Sequence, residues 1–252
     1  MRGLKDKVAI VAGGGRGIGA ATAMRLADEG AAIVVGDINE QWAKDSAQAI
    51  IDKGGRAAGV HLDGTKAASQ AAIVAAAHNL FGGLDIFHSN LAGGTEGDVD
   101  ALNCPEEVFD KSVAINLKSH FLATQAALPA LIERGGGAMI YTSSGAASGA
   151  SPWQVAYPMT KNGIHALARH VASKWGKEGV RANVICPGLI MTEAVAQHLS
   201  DKQVADLERR TPSPRLGHPD DIAAAVAFLA SDDAGFVNGQ VWHVNGGTQM
   251  RD

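Results

Sequence analysis

The chain has 252 residues, 46% hydrophobic and 19% charged, with a net charge of −4 and two cysteines. That length and apolar content suit one large α/β domain and exclude a disordered chain. The small negative charge gives no footprint for nucleic acid, and the apolar runs are too short to span a bilayer.

In chain order, short β-like runs alternate with longer helical patterns. The expected strands are KVAIVAG (7–13), AAIVVGD (31–37), AAGVHLD (57–63), LDIFHSN (84–90), GAMIYTS (137–143), RANVICP (181–187) and GQVWHVN (239–245). Most are near-continuous apolar runs, the pattern of strands buried on both faces. Helices are expected near 17–29, 40–53, 66–80, 106–133, 156–178 and 219–231. In the fourth, Val113, Leu117, Phe121 and Leu128 fall on one helical stripe, and Pro129 should kink the helix or loosen its last turns. Strand–helix alternation along the whole length predicts a single α/β domain over 1–252, a doubly wound parallel sheet of about seven strands with helices on both faces. Residues 189–217 interrupt the alternation and form a candidate substrate lid, on which His198 reads as a surface residue.

The first strand runs into AGGGRGIGAATA (12–23), with glycines at 13, 14, 15, 17 and 19. A turn at φ > 0 and close backbone approach to a pyrophosphate both need residues without a Cβ. The helix that opens here aims its N–H groups at the phosphates. A glycine loop between a β run and a helix is the context of a Rossmann-type dinucleotide site, which points to Gly13, Gly15, Arg16, Gly17, Ile18 and Gly19. Asp37 ends the second strand eighteen residues beyond Gly19. There a carboxylate can accept from the ribose hydroxyls and repel a 2′-phosphate; the other role open to it is a helix N-cap. Arg16 could favour that phosphate, but the charge at the ribose is closer, so NAD is expected over NADP. Asp63 ends the third strand, where it could accept from the adenine amino group or cap the next helix.

Tyr157 and Lys161 stand four apart and share a helix face. Pro158 is tolerated only in a first helical turn, so the helix should begin close to Tyr157. A tyrosine at its ordinary pKa of about 10 is too weakly acidic to act as a base at neutral pH. A lysine ammonium within about 4–6 Å, and an oxidised nicotinamide, would lower it. The phenolate could then take a proton from an alcohol as hydride leaves the same carbon, with Ser144 holding the substrate oxygen.

GGGRGIG, NLAGG after the fourth strand, AINL, YTSS followed by YPMTK, NVICPGLIMT, RLGHPDDIA and GQVWHVNGG together resemble the short-chain dehydrogenase/reductase family along essentially the full chain. The resemblance implies a catalytic set of Asn116, Ser144, Tyr157 and Lys161, with Ser144 selected by its distance of thirteen residues from Tyr157. Asn116 would hold a water that links Lys161 to solvent. Lys161 would also bind the nicotinamide ribose. Ile38, Leu62 and Asn90 would join the cofactor site, and Pro187, Gly188, Ile190 and Thr192 would surround the nicotinamide and its phosphates. Departures from the family pattern are Ala12 for Thr, SNLA where NNAG is usual, Asn245 for Asp, and Pro158. The resemblance also implies a homotetramer paired through helices 106–133 and 156–178.

The function expected is hydride transfer between NAD(H) and a small-molecule secondary alcohol or ketone. The alternative is an idle nucleotide-binding or scaffolding protein on the same fold, which has no need of the complete set. Ala146, Ser151, Trp153, Met191, Val195 and Leu199 are candidate pocket residues and suggest an apolar substrate; Arg209 and Arg215 are the arginines that could reach a substrate carboxylate. No Cys/His cluster has zinc spacing, so no metal is expected. The N-terminus lacks a signal-peptide core, and Cys104 and Cys186 read as reduced thiols, so the expected location is cytoplasmic.

Overall fold

Strands that are apolar on both faces need two covers, and the chain supplies them. The structure, a computed structural model, describes residues 1–197 and 199–250. The strands β1 (Val8–Ala12), β2 (Ala32–Asp37), β3 (Arg56–His61), β4 (Ile86–Ser89), β5 (Gly137–Thr142), β6 (Val180–Pro187) and β7 (Val241–Val244) form one parallel sheet in the order β3-β2-β1-β4-β5-β6-β7. Successive side chains point to opposite faces. Ile10, Phe87, Met139 and Val184 pack on one face against α3 (Ala67–Phe81), α5 (Ser119–Glu133) and α6 (Ala156–Trp175). Val11, Ile33, Ile140 and Ile185 pack on the other against α1 (Gly17–Asp28), α2 (Glu40–Asp52) and α9 (Pro219–Ala230). The result is the single-domain doubly wound sheet expected from the alternation.

Two regions differ from the expectation. The long helix 106–133 is not uniform: α4 (Glu106–Val113) passes through a π-helical turn, Ala114–Lys118, into α5. The wider turn changes the register of everything that follows. Leu128 still reaches the core, but Phe121 stands 47% exposed while His120, Leu122 and Ala123 face inward. The helix continues through Pro129 to Glu133. The region 189–217 is also less irregular than expected. It carries α7 (Glu193–Ala196) and α8 (Asp201–Arg210). Its neck is closed where Met191 N donates to Gly217 O (2.8 Å) and Gly217 N to Leu189 O (3.1 Å). His198 lies outside the described residues.

Strand order reverses between β1 and β4, so their carboxyl ends open a crevice. The ends of β2, β5 and β6 border it, and each delivers one segment to the site.

Candidate active site

At the end of β1 the backbone turns through Gly13 (φ +76°), where a Cβ would lie 2.7 Å from the Asn90 carbonyl oxygen. A Cβ at Gly19 would overlap the carbonyl oxygen of Gly13, so only glycine lets α1 start this close to the strand. Arg16 is the N-cap of α1 but makes no side-chain cap, and the first turn holds no acid. The N–H groups and positive end of α1 therefore face the crevice, a cradle suited to a pyrophosphate. Asn90 supports it by donating from Nδ2 to Gly13 O (3.1 Å).

Beside the cradle is a cavity of about 520 Å³ whose walls include Gly13, Arg16, Asp37, Ile38, Leu62, Asp63 and Asn90. Asp37 is 8% exposed. Its Oδ2 accepts from Gly15 N and its Oδ1 from Asn39 N, both at 3.0 Å. The N-cap of α2 is Asn39, whose Oδ1 accepts from Trp42 N (3.2 Å), so Asp37 does not cap that helix. Asp63 does not cap α3 either: the cap position is Lys66. Asp63 Oδ1 instead accepts from the Thr65 hydroxyl (2.6 Å) and Thr65 N (2.9 Å), which hold its carboxyl below the usual range. Trp42, which the sequence reading missed, forms another wall, and the Arg16 guanidinium lies 3.8 Å from the centroid of its ring.

A second cavity of about 360 Å³ shares Arg16, Asn90 and Ala92 with the first. Ser144, Tyr157 and Lys161 line it, with Gly17, Ile18, Pro187, Gly188, Ile190 and Thr192. Of the candidate substrate residues, Val195 lines this cavity, whereas Ala146, Ser151, Trp153, Met191 and Leu199 are not among its walls. Trp153, in the segment between the 3₁₀ turn Gly145–Ala147 and α6, is 79% exposed. Walls that the sequence reading missed are Ala92, Leu189, Glu193 and Ala194. Neither Arg209 nor Arg215 is among the walls of this cavity; Arg209 pairs with Asp206 and Arg215 with Asp221, each at 2.7 Å.

Helix α6 begins at Ala156, which puts Tyr157 and Pro158 in its first turn. One turn on, Lys161 is fully buried; its Nζ donates to Leu91 O (2.9 Å) and Thr142 O (3.1 Å). Burial pushes its pKa down to about 7. Burial also pushes the Tyr157 phenol up, a hydrogen bond with Ser144 offsets part of this, and Cys186 adds to the rise. Lys161 Nζ is 5.9 Å from the Tyr157 ring centroid. Among the protein groups around Tyr157, desolvation acts most strongly and raises its pKa, the direction opposite to the lowering expected from a neighbouring lysine.

Ser143 and Ser144 divide their tasks. Ser143 Oγ donates to Lys161 O and pairs with His165 Nε2, each at 2.9 Å. Ser144 is the serine in hydrogen-bond contact with Tyr157. Asn116, buried on the π turn, accepts at Oδ1 from Gly93 N (3.1 Å) and donates from Nδ2 to Gly93 O (2.8 Å) and Ser112 Oγ (3.2 Å). Asn116 and Lys161 thus bond to the same short stretch, Leu91–Gly93. Asp98 was also missed; it is a buried carboxylate that accepts from Val155 N, Ala156 N and Tyr157 N. No local pattern announces it, because its partners lie far along the chain.

A family model described as enoyl-(acyl carrier protein) reductase matches residues 12–249. The chain is 39% identical to 4-formylbenzenesulfonate dehydrogenase of Comamonas testosteroni, over 98% of this chain and 99% of that protein. It is 35% identical to the BbsD subunit of (2S)-[(R)-hydroxy(phenyl)methyl]succinyl-CoA dehydrogenase of Thauera aromatica, over 98% of each chain. Among solved structures it resembles a 7α-hydroxysteroid dehydrogenase in complex with NADH and 7-oxo glycochenodeoxycholic acid. The TM-score is 0.91 and the identity 33%, covering 97% of this chain and 94% of that one.

Proposed function

The chain belongs to the short-chain dehydrogenase/reductase family of oxidoreductases, and from that premise we propose that it moves hydride between NAD and a secondary alcohol or ketone, with Tyr157 as general acid/base. The observation that carries the reading is that Ser144, Tyr157 and Lys161 share one cavity, which continues into the groove at the start of α1. A bound nicotinamide would supply or accept the hydride and, in its oxidised form, would bring a positive charge to the site. Ser144 holds the substrate oxygen, and Tyr157 takes its proton in oxidation or returns one in reduction. Lys161 and Asn116 hold the Leu91–Gly93 stretch beside the site, and Lys161 would bind the nicotinamide ribose. Asp37 selects NAD, because its carboxylate repels a 2′-phosphate. Ile18, Ala92, Ile190 and Val195 give the cavity apolar walls, which suit a hydrophobic alcohol. The compounds in the names of the related dehydrogenases share apolar aryl or steroid rings with that class, and each also carries an anionic group.

Two experiments test this. Wild type is assayed with NAD on cyclohexanol, 1-phenylethanol, a hydroxysteroid and a 3-hydroxyacyl thioester. Tyr157→Phe, which removes only the ionisable hydroxyl, should cut turnover of the best alcohol by ~100-fold or more. Near-normal turnover would sink the mechanism. NAD should bind at least about tenfold tighter than NADP in direct titration, a difference of ~1.4 kcal/mol; equal affinities would remove the role given to Asp37.

The assembly proposed is a cytoplasmic homotetramer. The long helices carry exposed apolar side chains, Phe121 on α5 (47%) and Met159 on α6 (54%), and closed symmetric assemblies bury such faces. Light scattering should give about four times the 25.9 kDa chain mass; a monomer at micromolar concentration would refute it.

A further inference from the structure

The helix that carries Tyr157 has no local cap. The first N–H groups of a helix lack intrahelical partners and need an acceptor from outside. The cap position of α6 is Val155, which offers no side-chain oxygen, and Pro158 removes one of the donors. The three donors that precede Pro158 converge on one carboxylate from the loop between β4 and α4. Asp98 Oδ1 accepts from Val155 N (3.1 Å) and Ala156 N (3.0 Å), and Oδ2 from Tyr157 N (2.8 Å), across 59 residues of chain in the last case. Asp98 is 7% exposed. No cation pairs with it among the described residues, and its other polar neighbour is Cys104 Sγ at 3.9 Å. A buried carboxylate so placed is balanced by backbone donors and the positive end of the helix.

The loop that supplies Asp98 also runs along the site. Asn90 bonds Gly13 O, Leu91 O accepts from Lys161 Nζ, Gly93 is clamped by Asn116, and Asp98 holds the backbone of Tyr157. One nine-residue stretch therefore touches the glycine loop, the lysine and the tyrosine in turn. We propose that Asp98 is a positioning residue for proton transfer, fixing the first turn of α6, and with it the Tyr157 hydroxyl, against the loop that anchors Lys161. This rests on the reading of Tyr157 as acid/base. It predicts a loss confined to the chemical step, because small misplacements of a reacting group cost rate rather than affinity.

The test compares wild type, Asp98→Ala, Asp98→Asn, Tyr157→Phe and the double variant Asp98→Ala/Tyr157→Phe, using NAD and the alcohol of the panel above that wild type oxidises fastest. Asp98→Ala should lower kcat by about tenfold or more, with the alcohol KM within about threefold and the NAD Kd within about twofold of wild type. Asp98→Asn keeps one acceptor oxygen and should fall between the two; it carries the same comparison if the alanine variant does not fold. In the Tyr157→Phe background, removing Asp98 should lower the residual turnover no further, because the two act through one group. Unchanged kcat in Asp98→Ala, beside a Tyr157→Phe variant that is severely impaired, would overturn the proposal and leave the acid/base reading intact. So would equal losses in both backgrounds, which would make Asp98 a general stabiliser. A Tyr157→Phe variant of normal turnover would instead remove the premise.

Discussion

Arg16, Asp37 and Trp42 line one cavity, and under the proposed cofactor reading the two charged residues would have opposite preferences for a 2′-phosphate. Asp37 is pinned by two backbone N–H groups, so its charge stays beside the ribose position. Arg16 is an exposed side chain whose guanidinium rests on the Trp42 ring. At an exposed site such a stack is worth about 0.5–1 kcal/mol, or a factor of about 2–5 in an equilibrium. Trp42→Ala should release the guanidinium and raise the ratio of NADP to NAD affinity about 2–5-fold. Arg16→Ala in the same background should abolish that gain. Titrating both nucleotides on the three variants checks it. Were Trp42 only a wall of the adenosine cavity, both affinities would weaken together and the ratio would stay put. Both charged residues were legible in the sequence, Arg16 from its place inside the glycine loop and Asp37 from its distance beyond it. The stack was not, because it depends on how α2 lies against the start of α1.

The elements that could be read were those whose signal is local. Strands buried on both faces announce themselves as runs such as VAIVA and AIVV. The start of α6 was legible because Pro158 admits only a first turn. The stripe through Phe121 failed because it assumed one helical period across a segment that contains a π turn. Residues before and after that turn cannot share a 3.6-residue register. In the 189–217 region the signal was present but not read: Ser200 and Gln203 have the spacing of a capping box, and they form one at the start of α8. Thr192 likewise caps α7 by accepting from Val195 N. The pocket walls were the least legible. A side chain's position on the surface or in the cavity depends on where two loops meet, so Trp153 stands exposed while Glu193, which was not considered, lines the cavity. Asp98 lies at the limit of the same problem. Its three donors belong to one helix and its carboxylate to a distant loop, so neither segment by itself marks the contact.

Across the whole molecule, the sheet and its covering helices enclose histidines that play no part in the proposed chemistry. His88 on β4, His120 on α5 and His165 on α6 are all buried. Desolvation holds His88 down to about 3 and His165 to about 4, and pushes His120 well below its ordinary value. His88 Nε2 pairs with the Thr142 hydroxyl (2.8 Å), but its Nδ1 meets no acceptor that could receive a second proton. In the unfolded chain each imidazole titrates near 6.5. Between that value and the folded pKa the unfolded state binds more protons, so stability falls as pH falls. The stabilisation is complete above about 6.5 and is lost progressively towards 4 and 3. Asp221, held down to about 2 by Arg215, loses its contribution in a lower window, below about 4. The histidine effect can therefore be isolated between pH 6.5 and 5. Urea unfolding without added nucleotide should show a steep loss of stability over that interval, with each fully differential proton contributing up to about 1.4 kcal/mol per pH unit. His165→Gln can keep the bond to Ser143 Oγ while removing the titration, so its slope should be shallower than that of wild type. Parallel slopes for the two proteins would mean that His165 does not sense acid, and that the loss of stability arises from other groups.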